Sequence, residues 1–583
     1  MAGSRLRDYT LVIVLGLWLF FPGLGSFALW DDDEAHNAEC AREMAEAQTW
    51  VVPSFNFKLR TDKPALLYWC LLLAYQSFGV HEWAARLPSA LASLASLLVT
   101  YELGRLWFGR RSGLLAAVIL GSSLMFNVVS HAVTPDALLI LATLLSFLCL
   151  ARGYAGQQRF WLVGAALATG MAVLAKGPVG VALPGVTALL FLLWERRARL
   201  LWQRQLGGAI LAFLLVAVPW YLMVGLTTHW EFTKGFFLQH NLSRFSAPME
   251  GHRGPLFYHP VVLLATFAPW SAFLGLTVWY GVKGARQRQE TEGTAGEPIW
   301  PYRLLWCWVA VWLVFFSLAA TKLPNYVLPI YPALALLTGR FLVRWWEGQV
   351  QPRPWLMNLS LACFALVGLV LAGGLLAVSG LWEIPKLAAR SLPGSAPLAV
   401  VGILPIVAAV LAWRWLRQER RQWAVVSLGS AAVLLVGTLA AWGPGVADQS
   451  RAAKPLAQVM HAEQTEREVQ IGCHPSYYRP GVVFYNRREV QRLMTDQQAI
   501  DLLRSPLQAY LLIAAPDWAR IAPGMDTPFR VAGRHRDVTA GKEILLITNR
   551  PSRNVAQHQP DTLFPHLEAY ACPPLSSWST RSD

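Results

Sequence analysis

The chain is poor in charge. Of its 583 residues only 15% are Asp, Glu, Lys or Arg, where a soluble domain carries about 25%. With 55% hydrophobic residues and a mean hydropathy of +0.38, that shortfall excludes an ordinary soluble enzyme and implies an integral membrane protein. The seven cysteines are scattered with no CxxC pair, which speaks against structural zinc and a disulfide framework. Only Cys473 and Cys572 lie in the hydrophilic tail, and sequence does not decide whether they pair. Phosphate loop, hydrolase triad and internal repeat are also missing. The net charge of +15 does not form one basic stripe, so nucleic acid is not the expected partner. The basic residues recur instead in short clusters between apolar runs, the pattern that encodes membrane topology.

What is present begins with those runs. A span needs roughly 20 apolar residues. Thirteen segments meet that description, near 10–29, 86–104, 113–131, 135–151, 160–176, 178–194, 206–226, 260–282, 304–320, 326–343, 356–379, 398–413 and 424–443. The first is long for a signal-peptide core and reads as an anchor. Basic clusters fall at alternate loops, among them Arg5/Arg7, Arg105/Arg110/Arg111, Arg196/Arg197/Arg199 and Arg414/Arg417/Arg420/Arg421. The positive-inside rule puts that side, with the amino terminus, in the cytoplasm.

The other loops hold the unusual residues. The first, within 30–85, carries Asp31-Asp32-Asp33-Glu34 and then Asp62-Lys63-Pro64. Carboxylates at a membrane edge are costly unless water, a cation or a ligand meets them. A helix cap is the plain account of the acids and a surface ion pair that of Asp62-Lys63, yet four acids exceed what a cap needs. Lysine is also a phosphate ligand. The stretch 33–48 reads as an interfacial helix, with Ala38, Ala41, Met44 and Ala45 on one face, and 65–79 as an interfacial or re-entrant one. The large loop 227–259 ends in His252-Arg253-Gly254-Pro255; Asp136, Lys176 and Lys322 to Tyr326 stand at other turns on this side. For these, capping and snorkelling are the plain accounts.

Residues 445–583 hold no span. Strands are expected at 469–474, 482–485, 509–514, 529–531 and 544–548, with helices at 456–468 and 496–507. The expected architecture is a transmembrane unit, 1–444, followed by a small α/β domain outside the membrane.

One group shares the order of short motifs: Asp-x-Asp-Glu at 31–34, Arg42-Glu43-Met44, Trp50 to Pro53, Lys63-Pro64 to Trp69, Ala84 to Ala90, Thr134 to Leu139, Ala175 to Val179 and Lys322 to Pro332. The chain resembles the bacterial 4-amino-4-deoxy-L-arabinose transferase (ArnT-like) group of the protein-mannosyltransferase superfamily. That resemblance implies the GT-C fold, an α-helical membrane bundle. It implies a glycosyltransferase that moves a sugar from a polyprenyl (undecaprenyl) phosphate donor to a lipid, glycan or protein acceptor outside the cytoplasmic membrane. Aminoarabinose transfer to lipid A is the family's own case, and the lack of a nucleotide-sugar fingerprint agrees. By resemblance Asp33 is the essential first-loop aspartate, Asp136 a supporting acid and Lys63 the contact to the donor phosphate. Arg253, Lys322 and Tyr326 would assist at that phosphate, Asp31 and Glu34 would meet substrate, and Asp62 with His252 would bind a divalent metal ion. The chain departs from the family where an aromatic and Glu are common before Lys-Pro; here stand Arg60-Thr61-Asp62. A flippase for polyprenyl-linked lipid and a non-catalytic assembly protein are the alternatives.

Overall fold

The computed structural model describes residues 2–30, 33–156, 160–202, 205–247, 252–287, 298–382, 384, 387 and 390–550. Asp31 and Cys572 lie outside them. Each of the thirteen apolar segments forms a helix or a bent pair of helices. Among the described residues eight are long and apolar enough to cross a bilayer, from Glu82–Phe108 to Arg421–Asp448. Two bent pairs, Arg110–Gly121 with Leu124–Ser130 (69°) and Tyr258–Thr266 with Trp270–Val282 (116°), raise that to ten. The others are shorter or more polar. Phe160–Lys176 and Val179–Trp194 have 17 and 16 residues, short of the roughly 20 a full crossing takes. The first helix, α1, is Ala2–Phe20 rather than 10–29 and holds Arg5, Arg7 and Asp8. It stops at Pro22-Gly23, where Gly23 takes φ +79°, a conformation open to glycine.

The first loop folds into α2 (Asp33–Glu46), a hairpin of β1 (Ser54–Phe55) and β2 (Lys58–Leu59), and α3 (Ala65–Phe78). Both turn residues, Asn56 and Phe57, have positive φ, as a tight hairpin of this hand requires. The expected apolar face of α2 is there, but the helix is covered nearly all round, Glu34, Ala35 and Asn37 to Met44 being buried. Its alanines pack on Leu67, Tyr68 and Leu71 of α3 and on Phe484.

One ion pair fixes the entry to this loop. Arg86, on α4 (Glu82–Phe108), is wholly buried. Its five N–H groups reach Leu24 O, Phe27 O, Ala28 O and both oxygens of Glu34, all at 2.7–3.0 Å. Glu34 also accepts from Trp30 N at 2.6 Å and Val133 N at 3.1 Å. The end of α1, the start of α2 and the turn before Asp136 are thereby tied to α4.

Beyond Asp448 a five-stranded sheet forms in the order β4-β3-β5-β7-β6, from β3 (Val469–Cys473), β4 (Gln491–Arg492), β5 (Gln508–Ala514), β6 (Arg530–Asp537) and β7 (Lys542–Thr548). The central β5 is parallel to β3 and antiparallel to β7. It is buried along its length, with Tyr510 and Leu512 in one cluster and Leu511 and Ile513 in the other, the period of two of a strand covered on both faces. Residues 482–485 are a helix, Pro480–Asn486, not the expected strand. Val-Val-Phe-Tyr has strand composition, but Pro480 sets a first helical turn. This helix packs on α2, joining the sheet domain to the first loop.

Removing one partner of a buried pair strands the other charge, at a cost of about 3–5 kcal/mol. Arg86→Ala should therefore lower the thermal stability of the solubilised protein sharply. Arg111→Ala, which breaks a half-exposed pair with Glu347, should cost under about 1 kcal/mol. Equal melting shifts would contradict this ranking.

Candidate functional site

Asp33 opens α2 with its side chain 55% exposed. Lys63 lies just before α3, whose first turn is entered through Pro64. The Lys63 ammonium is largely buried, 3.6 Å from Asp33 Oδ1 and 3.8 Å from Asp62 Oδ2. Those separations are charge contacts and too long for hydrogen bonds. Arg60 completes the group. Its Nε donates to Asp62 Oδ1 and its Nη2 to Oδ2, the fork a guanidinium makes with a carboxylate. The charge of Lys63 holds Asp33 below the usual carboxylate range, against burial and with help from Arg60. Burial pushes Asp62 up, but the charge and hydrogen bonds of Arg60, with Lys63, override it and leave Asp62 well below that range.

A polar cavity of about 620 Å³ opens over this cluster, with Asp33, Arg60 and Asp62 on its floor. His240 and Arg244 line one side and Tyr478, Glu489 and Arg492 of the sheet domain another. His240 belongs to a π-helical stretch, Gly235–Ser243. That stretch touches the first loop at Gly235, where a Cβ would come 2.7 Å from Thr61 Oγ1. Asn56 holds the third wall, exchanging two 2.8 Å hydrogen bonds with the backbone of Val490. A second, mainly apolar cavity of about 390 Å³ runs between Phe27, Trp30, Leu124, Val128, Val436 and Leu439. Asp33 lines both.

The other expected site residues fall elsewhere. Glu34 is not open to substrate: both its oxygens are occupied by Arg86 and two backbone N–H groups. Asp136 is buried, bound to Lys176 and accepting from Asn325 at 3.2 Å. Lys176 sits 5.4 Å from the Tyr326 ring, so Asp136 and Tyr326 share a second cluster. The Lys322 ammonium turns onto the carbonyls of Phe316 and Ser317. It caps the end of the Trp300–Leu318 helix and is not part of the Lys63 group. Arg253 and His252 are exposed and line neither cavity.

The metal expectation needs correcting. The histidine that shares the cavity and the field of Asp62 is His240, not His252. No group of three or more His, Cys, Asp or Glu suited to a metal ion occurs among the described residues. The Asp62 oxygens are taken by a guanidinium, with Lys63 and Arg244 close by. A divalent cation does not fit that donor set.

The sequence marks Arg60 only as a departure at the presumed substrate site and gives it no role, and it passes over His240, Arg244 and the sheet-domain wall. Arg60 had a local signal, since side chains two apart in extended chain lie on one side. The others come from contacts distant in sequence.

Comparison with known proteins places this geometry. A family model described as dolichyl-phosphate-mannose-protein mannosyltransferase matches residues 62–222. The solved structure of ArnT from Cupriavidus metallidurans bound to undecaprenyl phosphate superposes with a TM-score of 0.76 at 22% identity, covering 96% of this chain and all of that one. The apo form gives 0.75. The protein thus has the GT-C fold, in the ArnT arrangement of membrane helices and C-terminal domain. Within that class the chain resembles, in sequence, the ArnT group whose motifs it shares. It is 33% identical over 318 residues to the undecaprenyl phosphate-alpha-4-amino-4-deoxy-L-arabinose arabinosyl transferase of Erwinia tasmaniensis, and 32% over 380 residues to that of Pseudomonas aeruginosa. These matches cover 53% and 63% of this chain, and span 55% and 66% of the relatives.

The depressed carboxyl of Asp62 has a pH consequence. Its pairing stabilises fully above the unfolded value near 3.9 and is lost only as the pH falls through the lower folded value. The melting difference between wild type and Asp62→Asn should therefore stay constant from about pH 5 to about pH 8. A difference that changes across that window would show the carboxyl titrating above its ordinary range.

Proposed function

We propose that the protein is a glycosyltransferase that takes a sugar from a polyprenyl phosphate donor and passes it to an acceptor on the extracytoplasmic face of the cytoplasmic membrane. The observation that carries this reading is the position of Asp33. It stands on the wall shared by an apolar and a polar cavity, 3.6 Å from a buried ammonium. A lipid-linked sugar phosphate needs those surroundings: a dry groove for its chain, a fixed cation for its phosphate and a polar chamber for the sugar and acceptor. Lys63 makes no hydrogen bond among the described residues, so its N–H groups are available to phosphate oxygens.

In the transfer the acceptor oxygen bonds to the anomeric carbon as the bond from that carbon to the phosphate oxygen breaks. Asp33 orients the acceptor and takes its proton where the acceptor is a hydroxyl; a phosphate acceptor needs no base. Lys63 offsets the charge that grows on the leaving phosphate, a contribution large in a site shielded from water. Asp136 acts at one remove, through Lys176 and the segment bearing Tyr326. The pentose 4-amino-4-deoxy-L-arabinose as sugar and lipid A as acceptor are the finer reading, supported by the names of the relatives. The acceptor would enter past Tyr478 and Arg492, so the C-terminal domain would also lie outside, with 1–444 as the membrane unit.

Asp33→Asn keeps shape and capping ability but removes the charge. Loss of a cap costs about 1 kcal/mol of stability, whereas loss of a base or positioning carboxylate lowers the rate by roughly 100-fold or more. The variant should insert normally, still bind undecaprenyl phosphate and transfer almost no sugar, while Asp32→Asn should be mild. Wild-type transfer by Asp33→Asn would sink the mechanism and favour a non-catalytic assembly role.

Sidedness has its own test. Single cysteines at Gln418 and at Met494, both exposed, should be labelled by an impermeant maleimide from opposite faces in oriented vesicles. Labelling from one face would remove the proposed arrangement.

A further inference from the structure

The cation beside Asp62 is where this chain departs from what its resemblance implies. We propose that the Arg60 guanidinium occupies the place a divalent ion would take between Asp62 and His240, and that the anionic donor group is met by the two organic cations Arg60 and Lys63. The phosphate part of this rests on the donor proposed above; the replacement of the ion does not.

Four features carry it. Arg60 engages both oxygens of Asp62, so that a chelating metal would first have to break the fork, and the lone pairs left over face a site already crowded with positive charge. Arg60 is held at both ends: its backbone N donates to Pro53 O at 3.0 Å, its guanidinium Cζ lies 5.9 Å from the Phe55 ring, and its side chain is only 9% exposed. Zinc sites draw three or four ligands from protein; no group of three or more His, Cys, Asp or Glu comes together here among the described residues, and the cations Lys63 and Arg244 stand in the same cluster and cavity as Asp62 and His240. Arg60 Nη1 and His240 Nδ1, finally, are buried polar atoms with no hydrogen-bond partner among the described residues. Such atoms are rare in folded proteins and call for a ligand or water. A phosphate oxygen satisfies Arg60 Nη1 in the way that the carboxylate satisfies its other side.

The sequence reason is local. An arginine two residues before the acid lies on the same side of an extended segment, and Asp, one methylene shorter than Glu, holds its carboxylate back where the fork can close. Arginine is the residue suited to this, being permanently charged, planar and weakly hydrated.

The test begins with the metal and needs no sugar transfer. Full-length wild type, purified in detergent, loaded with Zn²⁺ or Mn²⁺ and desalted, should carry no stoichiometric divalent ion by mass spectrometry. Calorimetric titration of the same ions should detect no site. Arg60→Ala frees Asp62 and should gain a Zn²⁺ site that Arg60→Ala/His240→Ala lacks. One equivalent of metal in the wild type, lost in Asp62→Asn, would overturn the proposal even if every Arg60 variant misfolds. Undecaprenyl phosphate is the probe for the second half. Arg60→Gln and Lys63→Met should each weaken its binding on the order of tenfold, the scale of a lost hydrogen bond to a charged group. If only Lys63→Met weakens it, the role given to Arg60 at phosphate is wrong while the donor reading stands. If neither does, the donor reading fails, and the metal result is judged separately.

Discussion

The pairing of Glu34 with Arg86 is the constraint on which the rest of the site depends. Replacing a buried ion pair by apolar groups is often neutral or stabilising, so this one is better understood as a device for register than as a source of net stability. Seven hydrogen bonds converge in it. Arg86 has every N–H engaged, and Glu34 joins two segments far apart in sequence, at Trp30 and Val133. An apolar contact could slide by a residue at little cost. A fork with a fixed set of partners cannot.

The C-terminal domain is then held to the same frame. Arg451 lies 3.5 Å from the Trp30 ring and donates to Leu29 O. Ala28 N donates to Asp448, and Leu29 N to the Tyr485 hydroxyl. Lys454 pairs with Glu82 on the helix that carries Arg86. The residues 24–30 are thus gripped by α4 from one side and by the outer domain from the other. With Asn56 clamped to Val490 and Phe484 packed on the alanines of α2, the polar cavity becomes a joint product of loop and domain.

The sequence made the fold class, the run of apolar segments and the Asp33–Lys63–Asp62 group legible because each is local: composition, a 20-residue pattern, or two short motifs in one loop. It failed where phase or distance decides. The histidine of the site is His240 rather than His252. Both lie in one long loop, and only the π-helical turn and the close approach of Gly235 to Thr61 choose between them. Lys322 reads as a membrane-edge cation, but the helix ending at Leu318 leaves carbonyls unpaired, and the nearest ammonium turns to them. Pro480 changed Val-Val-Phe-Tyr from strand to helix. In each case a backbone constraint outranked side-chain chemistry.

The acidic run shows the same principle at the scale of one bond. Asp33 and Glu34 are neighbours with the same charge, and composition cannot separate them. Both sit in the first turn of α2, where successive residues project about 100° apart. Once the helix is packed through Ala35, Ala38 and Ala41, that angle assigns them opposite fates. Glu34 turns inward, and its longer side chain reaches Arg86. Asp33 turns outward, where its short carboxylate stays on the cavity wall beside Lys63. The inward acid must be matched by permanent partners, because an unpaired carboxylate in the interior would lose its charge or unfold the turn. The outward acid is free of that demand and keeps its lone pairs open to the cavity. A cluster that looks redundant therefore contains one acid committed to the fold and one left open on the cavity wall, and the inward residue fixes the direction in which its neighbour points.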